Sequence, residues 1–189
     1  MIKAVIFDCF GVFLEDGWLA FCNKYLTKEN EEELRYINHQ ADKGLVSYEE
    51  FLNTICNLTG APREEAHFTI STNHHPNAEL FSYAQQLKAA GYKLGMISNV
   101  GSELTNYLPQ QYVGLFDAVT LSYQVGVIKP DPEIYQHCLT TLGLPAEQCV
   151  FIDDRDYNVA GANAVGMEGI VYQNTQDVKQ KLEILEVKI

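Results

Sequence analysis

Four places along the chain hold residue types that can do chemistry: Asp8 in FDCFGV, Ser98 with Asn99 in ISN, Lys129 in IKPDPEIY, and Asp153 with Asp154 in FIDDRDYNVAGANAVG. Each lies at or just beyond the end of a short apolar run. An isolated acid in that position reads as a reagent, a hydroxyl and an ammonium read as partners for an anion, and adjacent carboxylates read as a cation site. Taken singly, each has an ordinary explanation. Asp8 fits a turn, Ser98-Asn99 and Asp153-Asp154 fit helix starts, and Lys129 fits a solvated surface charge. What favours chemistry is their joint placement, which depends on the elements that carry them.

The apolar runs Lys3 to Phe7, Lys93 to Ile97, Ala118 to Leu121, Cys149 to Ile152 and Gly169 to Tyr172 read as buried strands. Helical spacing of apolar residues predicts helices over about Glu79 to Ala90, Pro132 to Leu142 and Asn158 to Val165. Strands alternating with helices imply an α/β fold, a Rossmann-like doubly wound parallel sheet covered on both faces. In such a sheet the carboxyl ends of the strands share one edge, so the four places converge on a single crevice. The stretch from Trp18 to Ser71 contains no convincing strand. FCNKYL, NEEELRYINHQ and SYEEFLNTICNLTG read as helices, with Ser47 and Glu50 spaced as a capping box. An all-helical unit is therefore inserted after the first strand, over the crevice. The expected division is 1–14 with 78–189 for the sheet domain and 15–77 for the inserted cap, hinged at NHHPN, Asn73 to Asn77. The adjacent His74 and His75 read as loop residues rather than metal ligands.

Bulk properties narrow the function. The chain of 189 residues has a hydrophobic share of 47% and a formal net charge of -12. That charge disfavours non-specific binding to nucleic acid or anionic membranes, so any phosphate must be held by a local site. No stretch has the length of a membrane span, and the expected location is cytoplasmic. The cysteines Cys9, Cys22, Cys56, Cys138 and Cys149 are scattered without CxxC spacing, as expected of free thiols. Cys9 lacks a nearby His to activate it and reads as buried filler.

FDCFGV, ISN, IKPDPEIY and FIDDRDYNVAGANAVG, in this order, resemble the four motifs of the haloacid dehalogenase-like hydrolase superfamily. The insertion is similar to its helical cap of the first type, and the phrasing is similar to the branch that includes glucose-1-phosphate phosphatases. The resemblance implies a phosphatase acting on a small phosphorylated metabolite, a sugar phosphate among the candidates. Asp8 would form an aspartyl-phosphate, and Mg²⁺ would be held by Asp8, the main-chain carbonyl of Phe10 and Asp154, with Asp153 as a ligand or close behind. Lys129 would neutralise nucleophile and phosphate, while Ser98 and the Asn99 amide would bind the phosphoryl oxygens. A monomer or homodimer is expected. Asn158 stands where the family often has an acid, and is expected to orient a lysine or a loop. Arg155 and Asp156 are expected to form a surface pair, with Arg155 reaching a substrate anion as the alternative.

One departure matters. Phe10 stands where phosphatases of the family it resembles usually carry a second aspartate, which there protonates the leaving oxygen and later activates water. Loss of a general acid/base costs a factor of about 10² to 10⁴. Three functions stay open: a phosphatase whose substrate or cap compensates; a metal-independent 2-haloacid dehalogenase, whose motif is aromatic there but lacks the paired carboxylates; and a binding protein of weak or no turnover. Specificity is expected from the cap, with Gln40, Lys43, Trp18 and Tyr48 as candidate contacts.

Overall fold

The computed structural model describes residues 1–72 and 75–189; Asn73 and His74, which belong to the expected hinge and histidine pair, lie outside the described residues. The chain starts with β1 (Ala4–Phe7), all four residues of which are buried. Val5 and Phe7 enter one core and Ala4 and Ile6 the other, which is the period-two alternation of a strand covered on both faces.

Helices α1 (Gly17–Tyr25), α2 (Glu31–Asp42), α3 (Tyr48–Thr59) and α4 (Arg63–His67) follow, with a π-helical turn over Phe68–Thr72. Asp16 caps α1 by accepting from Leu19 N at 2.9 Å. Ser47 caps α3 by accepting from Glu50 N at 3.2 Å, the serine half of the predicted box. These helices bury a small core of their own, built on Phe21, Leu34, Ile37, Phe51, Leu52 and Ile55. The helical insertion is thus a packed unit, with α4 and the π turn beyond what apolar spacing alone indicates.

The sheet then resumes: α5 (Ala78–Ala89), β2 (Lys93–Ser98), a 3₁₀ turn, α6 (Gln110–Val113), β3 (Ala118–Leu121), α7 (Ser122–Val125) and α8 (Pro132–Leu142). A further 3₁₀ turn leads to β4 (Cys149–Asp153), α9 (Asp156–Ala164), β5 (Glu168–Val171) and α10 (Thr175–Ile184). All strands are parallel, in the order β3-β2-β1-β4-β5. One core layer holds α5 and α10 residues, and the other holds α8 and α9 residues. Helix α10 escapes the sequence pattern because it is highly polar and buries only Thr175, Val178 and Leu182. Strand β5 starts one residue earlier than predicted and ends at Val171.

The end of α2 is seated on the sheet domain. Ser122 Oγ donates to the Asp42 carbonyl at 2.5 Å. A Cβ at Gly101 would lie 2.8 Å from the Ala41 carbonyl oxygen, and one at Gly44 (φ +71) would lie 3.0 Å from that of Tyr123. Glycine at these two places allows backbone to approach backbone across the contact. Among the described residues no helix is long and apolar enough to cross a membrane.

Candidate active site

Strand β1 ends at the point where the strand order reverses, between β2 and β4, and Asp8 is the next residue. Its amide donates to the Ile152 carbonyl at 2.8 Å, extending the β1–β4 ladder and fixing the carboxylate above the sheet edge. Lys129 arrives from the loop after α7. Asn99 holds that loop in a reciprocal clamp: its Oδ1 accepts from Lys129 N at 2.8 Å and its Nδ2 donates to Lys129 O at 3.1 Å. The ammonium then donates to Asp8 Oδ1 at 2.5 Å, Asp153 Oδ2 at 2.7 Å and the Ile97 carbonyl at 3.0 Å. All three of its protons are used, and Lys129 is only 3% exposed.

The two acids after β4 have different surroundings. Asp153 is fully buried and accepts from Lys129, from Arg155 N at 2.8 Å, and from Asn158 Nδ2 at 3.0 and 3.1 Å. Asn158 therefore holds Asp153 directly, rather than a lysine, and its main-chain carbonyl accepts from the Tyr135 hydroxyl at 2.7 Å. Asp154 Oδ1, by contrast, is buried with no hydrogen-bond partner among the described residues. Ser98 Oγ is likewise buried and unpartnered, but Ser98 is not on the cavity wall.

Electrostatics follow from this packing. Burial pushes the Asp8 carboxyl well above the ordinary range; Lys129 opposes the shift, and Asp153 and Asp154 add to it. Burial also raises Asp154, to about 6, against the pull of Arg155 and with a further push from Asp153 and Asp16. For Lys129 burial acts downward, but the Asp153 and Asp8 carboxylates reverse it and hold the ammonium above its usual value. A further cation would relieve the crowded carboxylates.

The donor set suits a hard divalent ion. Asp8, Asp153 and Asp154 each offer an oxygen, all within 4.8 Å of one another. Asp153 is already saturated by donors, whereas Asp154 Oδ1 is open. Gly11 (φ +91) lets the turn carrying the Phe10 carbonyl run against Asp154, since a Cβ there would lie 2.6 Å from Asp154 Cγ. These features fit Mg²⁺ on Asp8, the Phe10 carbonyl and Asp154, with Asp153 behind them.

Above the site lies a cavity of about 880 Å³ between insertion and sheet, whose walls include Asp8, Phe10, Asn99, Lys129 and Asp154. Phe10 packs edge-on against Tyr107, with ring centroids 5.2 Å apart. Of the expected cap contacts, Trp18, Tyr48 and Lys43 line the cavity and Gln40 does not. Arg155 departs from the surface pair expected with Asp156: it bonds Asp16 Oδ2 at 2.7 Å and Asp154 Oδ2 at 3.1 Å. Asp16 and Asp42, which no motif in the sequence marks, are further acids on the wall. Asp42 directly precedes Lys43, one of the expected cap contacts.

The fold and site thus define an α/β protein whose parallel sheet places an acid, clamped to a buried lysine beside an open carboxylate, at its switch point. The haloacid dehalogenase-like hydrolase family model matches residues 2–166, and the chain belongs to that family. The chain is similar to the sesquiterpene phosphatase astK of Aspergillus oryzae, 29% identical over 89% of this chain and 88% of that protein. It also matches the glyceraldehyde 3-phosphate phosphatase of Methanopyrus kandleri, 31% identical over 49% of this chain and 41% of that one. A haloacid dehalogenase family enzyme of Bacteroides thetaiotaomicron, solved with magnesium and inorganic phosphate, shares the fold, with a TM-score of 0.69 and 21% identity over 93% of this chain and 96% of that one.

Proposed function

We infer that the chain is a Mg²⁺-dependent phosphoric monoester hydrolase working through an aspartyl-phosphate on Asp8. The observation that carries this reading is the convergence of Asp8, its lysine clamp and the unpartnered Asp154 oxygen at the sheet switch point. Asp8 attacks phosphorus while Lys129 holds one of its oxygens and offsets negative charge. Ser98 and the Asn99 amide bind phosphoryl oxygens; Asn99 is on the cavity wall, and the buried Ser98 hydroxyl beside it has no other partner among the described residues. A bound Mg²⁺ supplies charge neutralisation at the phosphate. Residues 15–77 act as the cap, excluding water above a core made of 1–14 and 78–189.

The substrate side is a small phosphorylated metabolite. The wall contributed by the insertion includes Trp18, Leu34, Val46, Phe51 and Ile70, which suits an ester with an apolar body as well as the sugar phosphate implied by the motif phrasing. The sesquiterpene phosphatase relative supports testing the apolar ester. A second reading, a 2-haloacid dehalogenase, is favoured by Phe10 alone; the carboxylate cluster weighs against it, because a haloacid anion would meet further negative charge.

The deciding assay measures phosphate release from an aryl phosphate, sugar phosphates and a prenyl phosphate, with and without Mg²⁺, and halide release from a 2-haloacid. Metal-dependent phosphate release, abolished in Asp8→Asn, is expected. Halide release without metal would overturn the phosphatase reading, as would silence on the whole phosphate panel.

A further inference from the structure

Asp42 is an acid on the cavity wall that lies outside the Asp8, Asp153 and Asp154 cluster. Asp42 closes α2 and lines the same cavity as Asp8, Phe10 and Lys129. Its main chain is pinned: the carbonyl accepts from Ser122 Oγ at 2.5 Å, and that oxygen accepts from Val100 N at 2.8 Å in the loop after β2. Close backbone contacts at Gly101 and Gly44 flank this latch on both sides. The cap residue is therefore held by its backbone to the sheet domain at a position on the cavity wall.

The other acids on that wall are bonded elsewhere or exposed. Asp16 caps α1 with one oxygen and holds Arg155 with the other. Asp154 holds Arg155 and belongs to the cation site. Glu31 pairs with Arg35 at 2.5 Å, and Asp131 is exposed at the head of α8. The bonding partner of the Asp42 carboxylate is a neutral amide, Asn38 Nδ2 at 2.9 Å, and no cation lies within ion-pairing distance of it among the described residues.

We propose that Asp42 is the general acid and base of the reaction, supplying from the cap the proton transfer that Phe10 cannot supply from the core. This rests on the phosphatase reading above. In the first step an Asp8 oxygen bonds to phosphorus, the bond to the ester oxygen breaks, and that oxygen keeps the electron pair and takes the Asp42 proton, leaving as the alcohol. In the second step the Asp42 carboxylate takes a proton from water. The resulting hydroxide oxygen bonds to phosphorus, the Asp8–phosphorus bond breaks, and inorganic phosphate and the Asp8 carboxylate are released.

The surroundings of Asp42 suit a group that must both give and take a proton near neutrality. Burial and the Asp16 carboxylate raise its pKa, Lys129 and the Asn38 bond oppose them, and the balance is about 7. Tyr107, across the cavity, is the further titratable group that interacts with it. Benzyl phosphate, with its poor leaving group, should then be cleaved more slowly as pH rises past about 7, because step one needs Asp42 protonated.

The test uses the full chain with Mg²⁺, and compares wild type, Asp42→Asn and Asp42→Glu on benzyl phosphate and 4-nitrophenyl phosphate in single turnovers. Asp42→Asn should slow benzyl alcohol release by about 10² to 10⁴ while releasing 4-nitrophenol near the wild-type rate, because that leaving group needs no proton. It should then accumulate a phosphorylated enzyme, seen by intact mass as one added phosphoryl group, and lose the alkaline limb of the benzyl phosphate profile. Asp42→Glu should restore part of the benzyl phosphate rate. Equal losses on both esters, or no loss on benzyl phosphate, would overturn the role of Asp42 and leave the phosphatase intact. Wild type silent on both esters would sink the phosphatase reading and the proposal together. Should Asp42→Asn fail to fold, as judged by circular dichroism, Asp42→Ser carries the same comparison.

Discussion

Lys129→Met keeps an unbranched side chain and removes the charge, so it asks whether one ammonium holds the buried centre together. Lys129 Nζ lies 2.5 Å from Asp8 Oδ1 and 2.7 Å from Asp153 Oδ2. At an effective dielectric of about 20, each pair represents about 6 kcal/mol of direct attraction. Removing the ammonium from water costs several kcal/mol and offsets much of this. The variant, however, leaves both carboxylates buried without a counter-charge, and breaking a buried pair in this way costs about 3–5 kcal/mol. For a chain of this size each kcal/mol moves Tm by about 2–4 °C, so a fall of about 6–20 °C is expected.

The pH dependence carries the stronger test. Burial already holds Asp8 above the ordinary carboxylate range, with Lys129 as the main opposing influence. Without that influence folded Asp8 keeps its proton at pH values where the unfolded chain has lost its own. The folded state then binds more protons than the unfolded state, so stability falls as pH rises from about 4 through the raised folded pKa. The gap between variant and wild type should be wider at pH 8 than at pH 5. Urea unfolding followed by circular dichroism at both pH values, without divalent cations, measures it. A loss below about 1 kcal/mol at pH 8, or a gap wider at pH 5, would refute Lys129 as the counter-charge.

Three further variants probe the scaffold. Gly11→Ala places a Cβ 2.6 Å from Asp154 Cγ at φ +91, at a strain of about 1–3 kcal/mol, and titration calorimetry should show weakened Mg²⁺ binding. Phe51→Ala empties the centre of the insertion's own core and should cost about 3–5 kcal/mol, with faster hydrogen exchange concentrated in α1 to α4. Ser122→Ala leaves the Val100 amide and the Asp42 carbonyl without their shared partner, at about 1–3 kcal/mol, and amide exchange should rise at the end of α2.

How much of this was legible depends on the distance over which each feature is determined. The strands are local: AVIF and CVFI are apolar throughout because both faces of a parallel sheet are covered, and their ends place Asp8, Asp153 and Asp154 at one edge. The different surroundings of Asp153 and Asp154 are not local. They arise because Lys129, Asn158 and the Arg155 amide all reach Asp153, while Gly11 opens space beside Asp154. Arg155 was misread because neighbours in sequence suggested Asp156, whereas the fold brings Asp16 to it across the β1–α1 connection. Asp42 was invisible for the same reason: its interest comes from how α2 seats against α7, and spacing within α2 marks it only as a polar residue near a helix end.

Placing the proton donor on the insertion rather than on the core would change what closure does. A core acid two residues after the nucleophile is present whether or not the cap is shut. The seating of the end of α2 on Ser122, Gly101 and Tyr123 sets where Asp42 stands on the cavity wall, so proton transfer from it would be conditional on the seated cap, which would also exclude water. The conditional link has a kinetic signature that neither a structural nor a purely catalytic defect shares. Ser122→Ala, which touches no reacting atom, should slow benzyl phosphate more than 4-nitrophenyl phosphate in a single turnover, following the leaving-group pattern of Asp42→Asn in weaker form. A Ser122→Ala enzyme slowed equally on the two esters would separate the latch from the acid and return the seated end of α2 to a packing role.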